Sequence, residues 1–431
     1  MNASPTQQQG RIGFAYGLAH FGKSSLWHCS ELLYAFFLTE ICGIAIPVAA
    51  AMLAVTMALN AAVDAMLGAS LARRGASLKS GARVQLVGAV VAGTAFAVFG
   101  SVGMLPADLR VGLGVFALLA LRLSYPFIDV PQNAMLGLLT RDDAARARLA
   151  SFRFIWGGSA RIMIAAVFVP VFVSKGSADQ AQNFMLLSGI IALLAIAGAV
   201  GLQCSVVRLA AANAPLPEEL SIASAALPTA ELVVPVFALI FFISAAVSIF
   251  ARTEPYLASY LISDKVGGFS LLVGIAFANV LSQLGWARLA SRTSLAHALC
   301  ASSIMLGIGS LLFSVSFHME GFLAYLAIAF YGAGSGGVSM AVWAFAAKLT
   351  ASRDEGSFRT FGMLTCCSKL GLSTGVLCVG LLLQVVDFHD PALSRTASIY
   401  LPAIAPLLSA ILCVVLAIRV ISPLRSKTSF E

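Results

Sequence analysis

Charge is scarce in this chain. Only 11% of its 431 residues are Asp, Glu, Lys or Arg, where a soluble domain carries about a quarter. A globule of this length with so little charge cannot cover itself with polar groups. That excludes an ordinary cytosolic enzyme and a disordered chain. The net charge is +8 and the pI about 9.2, yet the cations are too dispersed for a nucleic-acid surface. Paired metal-ligand spacings are missing as well. The eight cysteines form no CxxC and no Cys/His spacing, so neither a zinc site nor a disulfide framework is expected. Only Cys42 falls near an outer loop, and buried thiols are the reading for the rest. Met1–Gly10 lacks the basic start and the small-residue cleavage site of a signal peptide, so the first helix is expected to be retained. The Gly-rich run Gly332-Ala-Gly-Ser-Gly-Gly lacks the Lys-Ser/Thr of a phosphate loop. It reads as a place of close helix approach.

What is abundant is apolar surface: 59% of the residues, with a mean hydropathy of +0.93. The solvent is therefore lipid. A spanning helix needs about 20 mostly apolar residues, and the chain offers such stretches near 14–38, 45–71, 83–104, 111–139, 150–174, 184–206, 232–262, 269–289, 297–316, 321–349, 359–385 and 398–420. The expectation is an all-α polytopic membrane protein with twelve transmembrane helices. The longest polar connection, 207–230, is centred on Asn213-Ala-Pro-Leu-Pro-Glu-Glu. It predicts two six-helix halves, 1–206 and 231–431, joined by a cytoplasmic linker. That is the layout of transporters whose two halves enclose a midplane site.

Orientation follows from Lys and Arg. Eighteen of the 27 fall at one face of the predicted bundle, and four (Arg110, Lys175, Lys265, Arg395) at the other. Both termini are thus expected in the cytoplasm, at a bacterial inner membrane. Nine ionisable residues remain inside spans: Lys23, Glu31, Asp64, Arg122, Asp129, Arg161, Arg252, Glu254 and Lys369. At mid-bilayer each costs at least about 2.5–3.5 kcal/mol, so such residues mark a solute or ion path. Lys23, Trp27 and Glu31 repeat every four residues and share one helix face, offering a cation, an indole and a carboxylate. Asn60 and Asp64 share another. Arg122 and Asp129 are seven apart on one face and are placed to pair. A carboxylate in an apolar setting titrates closer to neutrality, which suits a group that must gain and lose a proton, and Asp64 and Asp129 are the candidates.

Short segments in order along the chain carry a resemblance. After the second span, Gly68, Arg73 and Gly75 are similar to the loop signature of the major facilitator superfamily, with Ala72 where an acid is usual. Ala15–Lys23 reads AYGLAHFGK, Asn60–Gly68 reads NAAVDAMLG, Tyr125–Pro131 reads YPFIDVP with Arg153 following, and Arg353-Asp-Glu-Gly356 precedes Lys369-Leu-Gly371. Together these resemble the glycoside–pentoside–hexuronide cation symporters, related to melibiose permease, within the major facilitator fold. The resemblance implies import of a small solute, often a sugar or glycoside, driven by Na⁺, Li⁺ or H⁺. It places Asp129 at the solute, Asp64 in the cation site and Lys369 beside that site. Several family positions differ here: Ser24 and Asn60 stand where the family has Asp, Val63 where it has Asn, Pro126 where it has Thr, and Asn133 where it has an aromatic. A hard cation needs several oxygen ligands, and one of the two cation-site carboxylates is absent, so H⁺ is expected in preference to Na⁺.

The resulting expectation is a secondary transporter, not an enzyme. Lys23, Trp27, Glu31, Asp129, Asn133 and Arg153 would bind solute, and Asn60, Asp64 and Lys369 would couple the ion. No cofactor or metal is expected. The partners are a small solute and membrane lipid, and the working unit is a monomer. Two alternatives share this composition: an exporter of amphipathic compounds on the same fold, and a polytopic membrane enzyme. The enzyme would want an acid/base cluster in a sizeable loop. Asp142-Asp143, flanked by Arg141 and Arg146, reads instead as a loop charge network.

Overall fold

The computed structural model describes residues 5–140, 142–168, 180–211, 229–260, 268–316, 322–350, 356–385 and 404–419. The centre of the predicted linker and the Arg353-Asp-Glu segment lie outside them, as do the side chains of Arg252 and Glu254. Each of the twelve predicted spans overlaps a helix within the described residues: α1 Pro5–Leu32, α2 Ile46–Arg73, α3 Leu78–Ser101, α4 Ala107–Leu138, α5 Asp143–Met163, α6 Gln180–Ala211, α7 Thr229–Tyr260, α8 Gly268–Arg292, α9 Leu295–Ser316, α10 Phe322–Thr350, α11 Gly356–Val385 and α12 Ile404–Arg419. The described residues contain no strand. Lipid supplies no hydrogen bonds, so a spanning backbone must satisfy its own, and the helix does so locally. Eight of the described helices are long and apolar enough to cross a membrane by length and composition. Helices α1, α5 and α8 fall outside that measure and α12 is shorter; α1 carries Lys23 and Glu31, and α5 carries Arg146, Arg148, Arg153 and Arg161.

The residues group into two compact units. One comprises Met1–Arg141, Trp156–Ser224 and Arg353–Cys366; the other comprises Asp142–Ile155, Ala225–Ser352 and Cys367–Glu431. The first turns of α5 thus pack with the second unit, and the first turns of α11 with the first.

In the first unit α3 packs on α4 and α6, α1 on α6, and α2 on α4. Small residues permit the approach: a Cβ on Gly198 would meet the α1 backbone at Ala19, 2.9 Å away. An aromatic nest of Tyr34, Phe37, Phe96, Phe99 and Phe184 closes one end, with Phe37 stacked on Phe184 at 3.9 Å. Helix α2 ends at Gly75, whose φ of +59° is the left-handed conformation that halts a helix. Two residues later Ser77 caps α3, accepting from the Ser80 amide while Ser80 Oγ accepts from the Ser77 amide. The start of α11 lies against α2: a Cβ on Gly362 would sit 2.7 Å from the Asp64 carbonyl oxygen and 2.8 Å from Gly68 Cα.

In the second unit α10 packs on α8 and α9. Its Gly run lies against Ile275, Leu306, Ser302 and Trp286, as the sequence predicted for Gly332–Gly337. Trp286 Nε1 donates to the Ala333 carbonyl at 2.8 Å. Asp143 bridges Arg146 at 2.9 Å and Lys348 of α10 at 2.6 Å, so the loop acid does belong to a charge network.

Candidate functional site

Two prolines shape the middle of α4. Pro126 and Pro131 have no N–H and lie inside the helix, so the carbonyls four residues earlier lose their helical partner. At Arg122 a side chain from another helix fills the gap: Asn60 Nδ2 donates to the Arg122 carbonyl at 2.8 Å. Between the prolines Asp129 points inward.

Asp129 meets Lys23 of α1. Lys23 Nζ donates to Asp129 Oδ1 at 2.9 Å and to Asn133 Oδ1 at 2.9 Å, while Asn133 Nδ2 donates to the same Asp129 oxygen at 2.7 Å. The result is a closed triangle of a cation, an anion and an amide. Lys23 is 3% exposed, Asp129 7% and Asn133 1%. Buried charges persist when paired and hydrogen-bonded, and this triangle meets both conditions. The predicted pairing of Arg122 with Asp129 is not made: one helix cannot turn both side chains onto each other as directly as α1 delivers an ammonium from across the interface. Asn133 holds both ends of the pair, which an aromatic at this position cannot do.

Arg122 occupies a second cluster. Its guanidinium lies over the rings of Trp27, at 5.8 Å, and Tyr34, at 5.7 Å, and Nη2 donates to Ser30 Oγ. Trp27 also packs on Tyr125 at 5.5 Å. Glu31 accepts from Trp27, lies 3.0 Å from His28 Nδ1 and is within electrostatic reach of Arg161. Asp64 is fully buried one turn from Asn60, and its charge and that of Asp129 both act on Tyr125. The first unit therefore brings together eight polar groups of the sequence: Lys23, Trp27, Glu31, Asn60, Asp64, Arg122, Asp129 and Asn133.

Arg153 and Lys369 belong to the second unit. Arg153 lies over the indole of Trp343 in α10, 3.3 Å from the ring centroid. Lys369 is buried in α11, in a stretch where Ser373 bonds its carbonyl and Ser368 meets Ser244 of α7 at 2.8 Å. Trp343 went unnoticed in the sequence. The signal for it was there, since it is one of four tryptophans and follows the Gly-rich turns of α10. Tyr125 and Ser30 were missed too, because no sequence pattern marks a polar residue whose partner lies on another helix.

A helical bundle with buried ion pairs, indole platforms and proline-interrupted helices defines the class: an integral, multi-pass membrane transporter. The description "MFS/sugar transport protein" matches residues 15–422, and the chain belongs to that family, whose members are transporters and not enzymes. A curated relative, the putative glycoside/cation symporter YagG of Escherichia coli (strain K12), is 24% identical over 195 residues. That match spans 45% of this chain and 42% of the relative, less than half the length of either. Among solved structures, a bacterial homologue of the iron transporter ferroportin in an outward-facing state is similar, with 13% identity and a TM-score of 0.69 over 94% of this chain and 99% of that one. The proton:xylose symporter XylE bound to 6-bromo-6-deoxy-D-glucose has 13% identity and a TM-score of 0.67 over 96% and 95%. At these identities the likeness shows the fold, which is that of the major facilitator superfamily.

Proposed function

We propose that this protein is a secondary importer of a small polar organic solute, sugar- or glycoside-like, working by alternating access with H⁺ as the coupling ion in preference to Na⁺. The observation that carries this reading is the Lys23–Asp129–Asn133 triangle. The carboxylate expected to meet the solute is already matched by an ammonium built into the chain. A fixed cation at that oxygen opposes entry of any second one, so the coupling ion is assigned to Asp64, where a single carboxylate suits a proton better than an alkali ion that needs several oxygen ligands. Solute hydroxyls would exchange with this hydrogen-bond network, with Trp27 and Glu31 beside it, and Arg153 is the further residue proposed to bind solute. Asp64, with Asn60 and Lys369, is the proposed coupling group. A buried carboxylate is costly in its charged form, so loading it with a proton or a cation shifts the balance between states. The proposed setting is a bacterial inner membrane, with both termini and the 207–230 linker cytoplasmic, and the proposed working unit is a monomer. The domain division proposed is 1–206 and 231–431.

Proteoliposomes with imposed gradients test the reading. Labelled glycoside uptake driven by a pH gradient at zero Na⁺ is the expected result. Uptake driven by a Na⁺ gradient at clamped pH and potential, with no effect of a pH gradient, would overturn the proton assignment. Absence of uptake of any sugar or glycoside under either gradient would overturn the solute class.

A further inference from the structure

We propose that Arg122 is an anion-binding site, taking a small monovalent anion as its counter-ion. The inference is independent of the coupling ion. Arg122 is 4% exposed in the interior of a lipid-solvated protein, and among the described residues no carboxylate lies within 4 Å of it, unlike Lys23. Glu31 acts on it from further away and is already held by His28 and Trp27. The two flanking rings and Ser30 offset only part of the cost of burying a full charge.

Two polar atoms reinforce the point. Arg122 Nε is buried and has no hydrogen-bond partner, and neither has the hydroxyl of Tyr34, the residue whose ring the guanidinium covers. Both can donate. A neutral partner such as water would satisfy the hydrogen bonds and leave the charge uncompensated. An anion satisfies both. Glu31 is shared, since it faces the charge of Arg161 as well as that of Arg122. The chemistry has two sources, a carboxylate carried by the solute or a halide from solution, and they are distinguishable.

The test uses purified full-length protein in nanodiscs, at constant Na⁺ and clamped pH, so that its outcome is separate from that of the coupling assignment. Bromide is titrated against methanesulfonate while tryptophan emission is read. Trp27 lies 5.8 Å from the guanidinium, so bromide bound there quenches it, and Trp27→Phe identifies its share of the signal. Chloride, glucuronate and glucose are then added as competitors. The expected result is saturable quenching that Arg122→Gln abolishes and Tyr34→Phe weakens severalfold. Relief by chloride and glucuronate alike assigns the site to free anions of either kind. Relief by glucuronate at concentrations where chloride and glucose have no effect assigns it to a solute carboxylate. Tyr34→Phe and Ser30→Ala carry the test if Arg122→Gln does not fold. Linear, unsaturated quenching that is the same in wild type and in those variants, with no relief by any competitor, would overturn the proposal.

Discussion

Replacing Lys23 by Met removes one member of a buried pair and leaves the other. At 2.9 Å, with an effective dielectric of about 20, two unit charges attract by about 6 kcal/mol, much of which repays their desolvation. Removing one partner of such a pair costs about 3–5 kcal/mol, because the remaining charge stays buried. Asn133 still donates to Asp129 at 2.7 Å, so Lys23→Met is expected at the lower end, about 3 kcal/mol. Asp129→Asn should cost a similar amount, since Lys23 keeps amide oxygens as acceptors but loses its counter-charge. The double variant removes both charges and is expected within about 1 kcal/mol of wild type, as replacing whole buried pairs often is. The assay is reversible unfolding in mixed micelles, analysed as a double-mutant cycle. Single costs that add to within about 0.5 kcal/mol in the double variant would refute the claim that the triangle is a coupled unit.

Asn60→Ala should destabilise by about 1–3 kcal/mol, because it strands a buried carbonyl; in a Pro126→Ala background, where the helix supplies its own N–H, the same change should cost markedly less in the same unfolding assay. Gly362→Ala places a Cβ 2.7 Å from the Asp64 carbonyl oxygen and should cost about 1–3 kcal/mol by overpacking, while alanine at Gly10, which lies in α1 and meets nothing within 4 Å, should stabilise slightly because Gly is the poorer helix former. Cys42 lies in the turn before α2, where burial pushes its thiol up to about 12 despite the nearby Arg110. It should therefore resist maleimide at pH 8 and react only under denaturing conditions, as followed by mass spectrometry. Trp343→Leu removes the ring under Arg153 and should lower solute uptake more than Trp343→Phe, measured in proteoliposomes.

The helices were legible because their signal is local. Twenty apolar residues in a row specify a span whatever lies next to it, and Gly75 follows the last turn of α2, whereas α3 starts at Leu78, five residues before the apolar stretch read near 83–104. The polar residues of the site were legible as a set for a related reason: a charge inside a span stands out against lipid. Their partners were not. Arg122 and Asp129 share a helix face, and the periodicity paired them. The structure instead sends Lys23 to Asp129 and leaves Arg122 between two rings. Asn60 read as a residue beside an acid; its amide serves a carbonyl that Pro126 vacates on α4. Asn133 read as a departure from an aromatic, and it closes the triangle.

What the sequence determined by itself is the solvent, the number and approximate position of the spanning helices, and the short list of residues costly enough in lipid to need a reason. Those follow from hydropathy along one strand of chain. What only the tertiary structure decided is which of those residues meet. Lys23 and Asp129 are 106 positions apart and Lys23 and Asn133 are 110 apart. Helix α1 must lie against α4 at the right rotation before a 2.9 Å bond exists, and α1 is held by its packing on α6, where Gly198 meets Ala19.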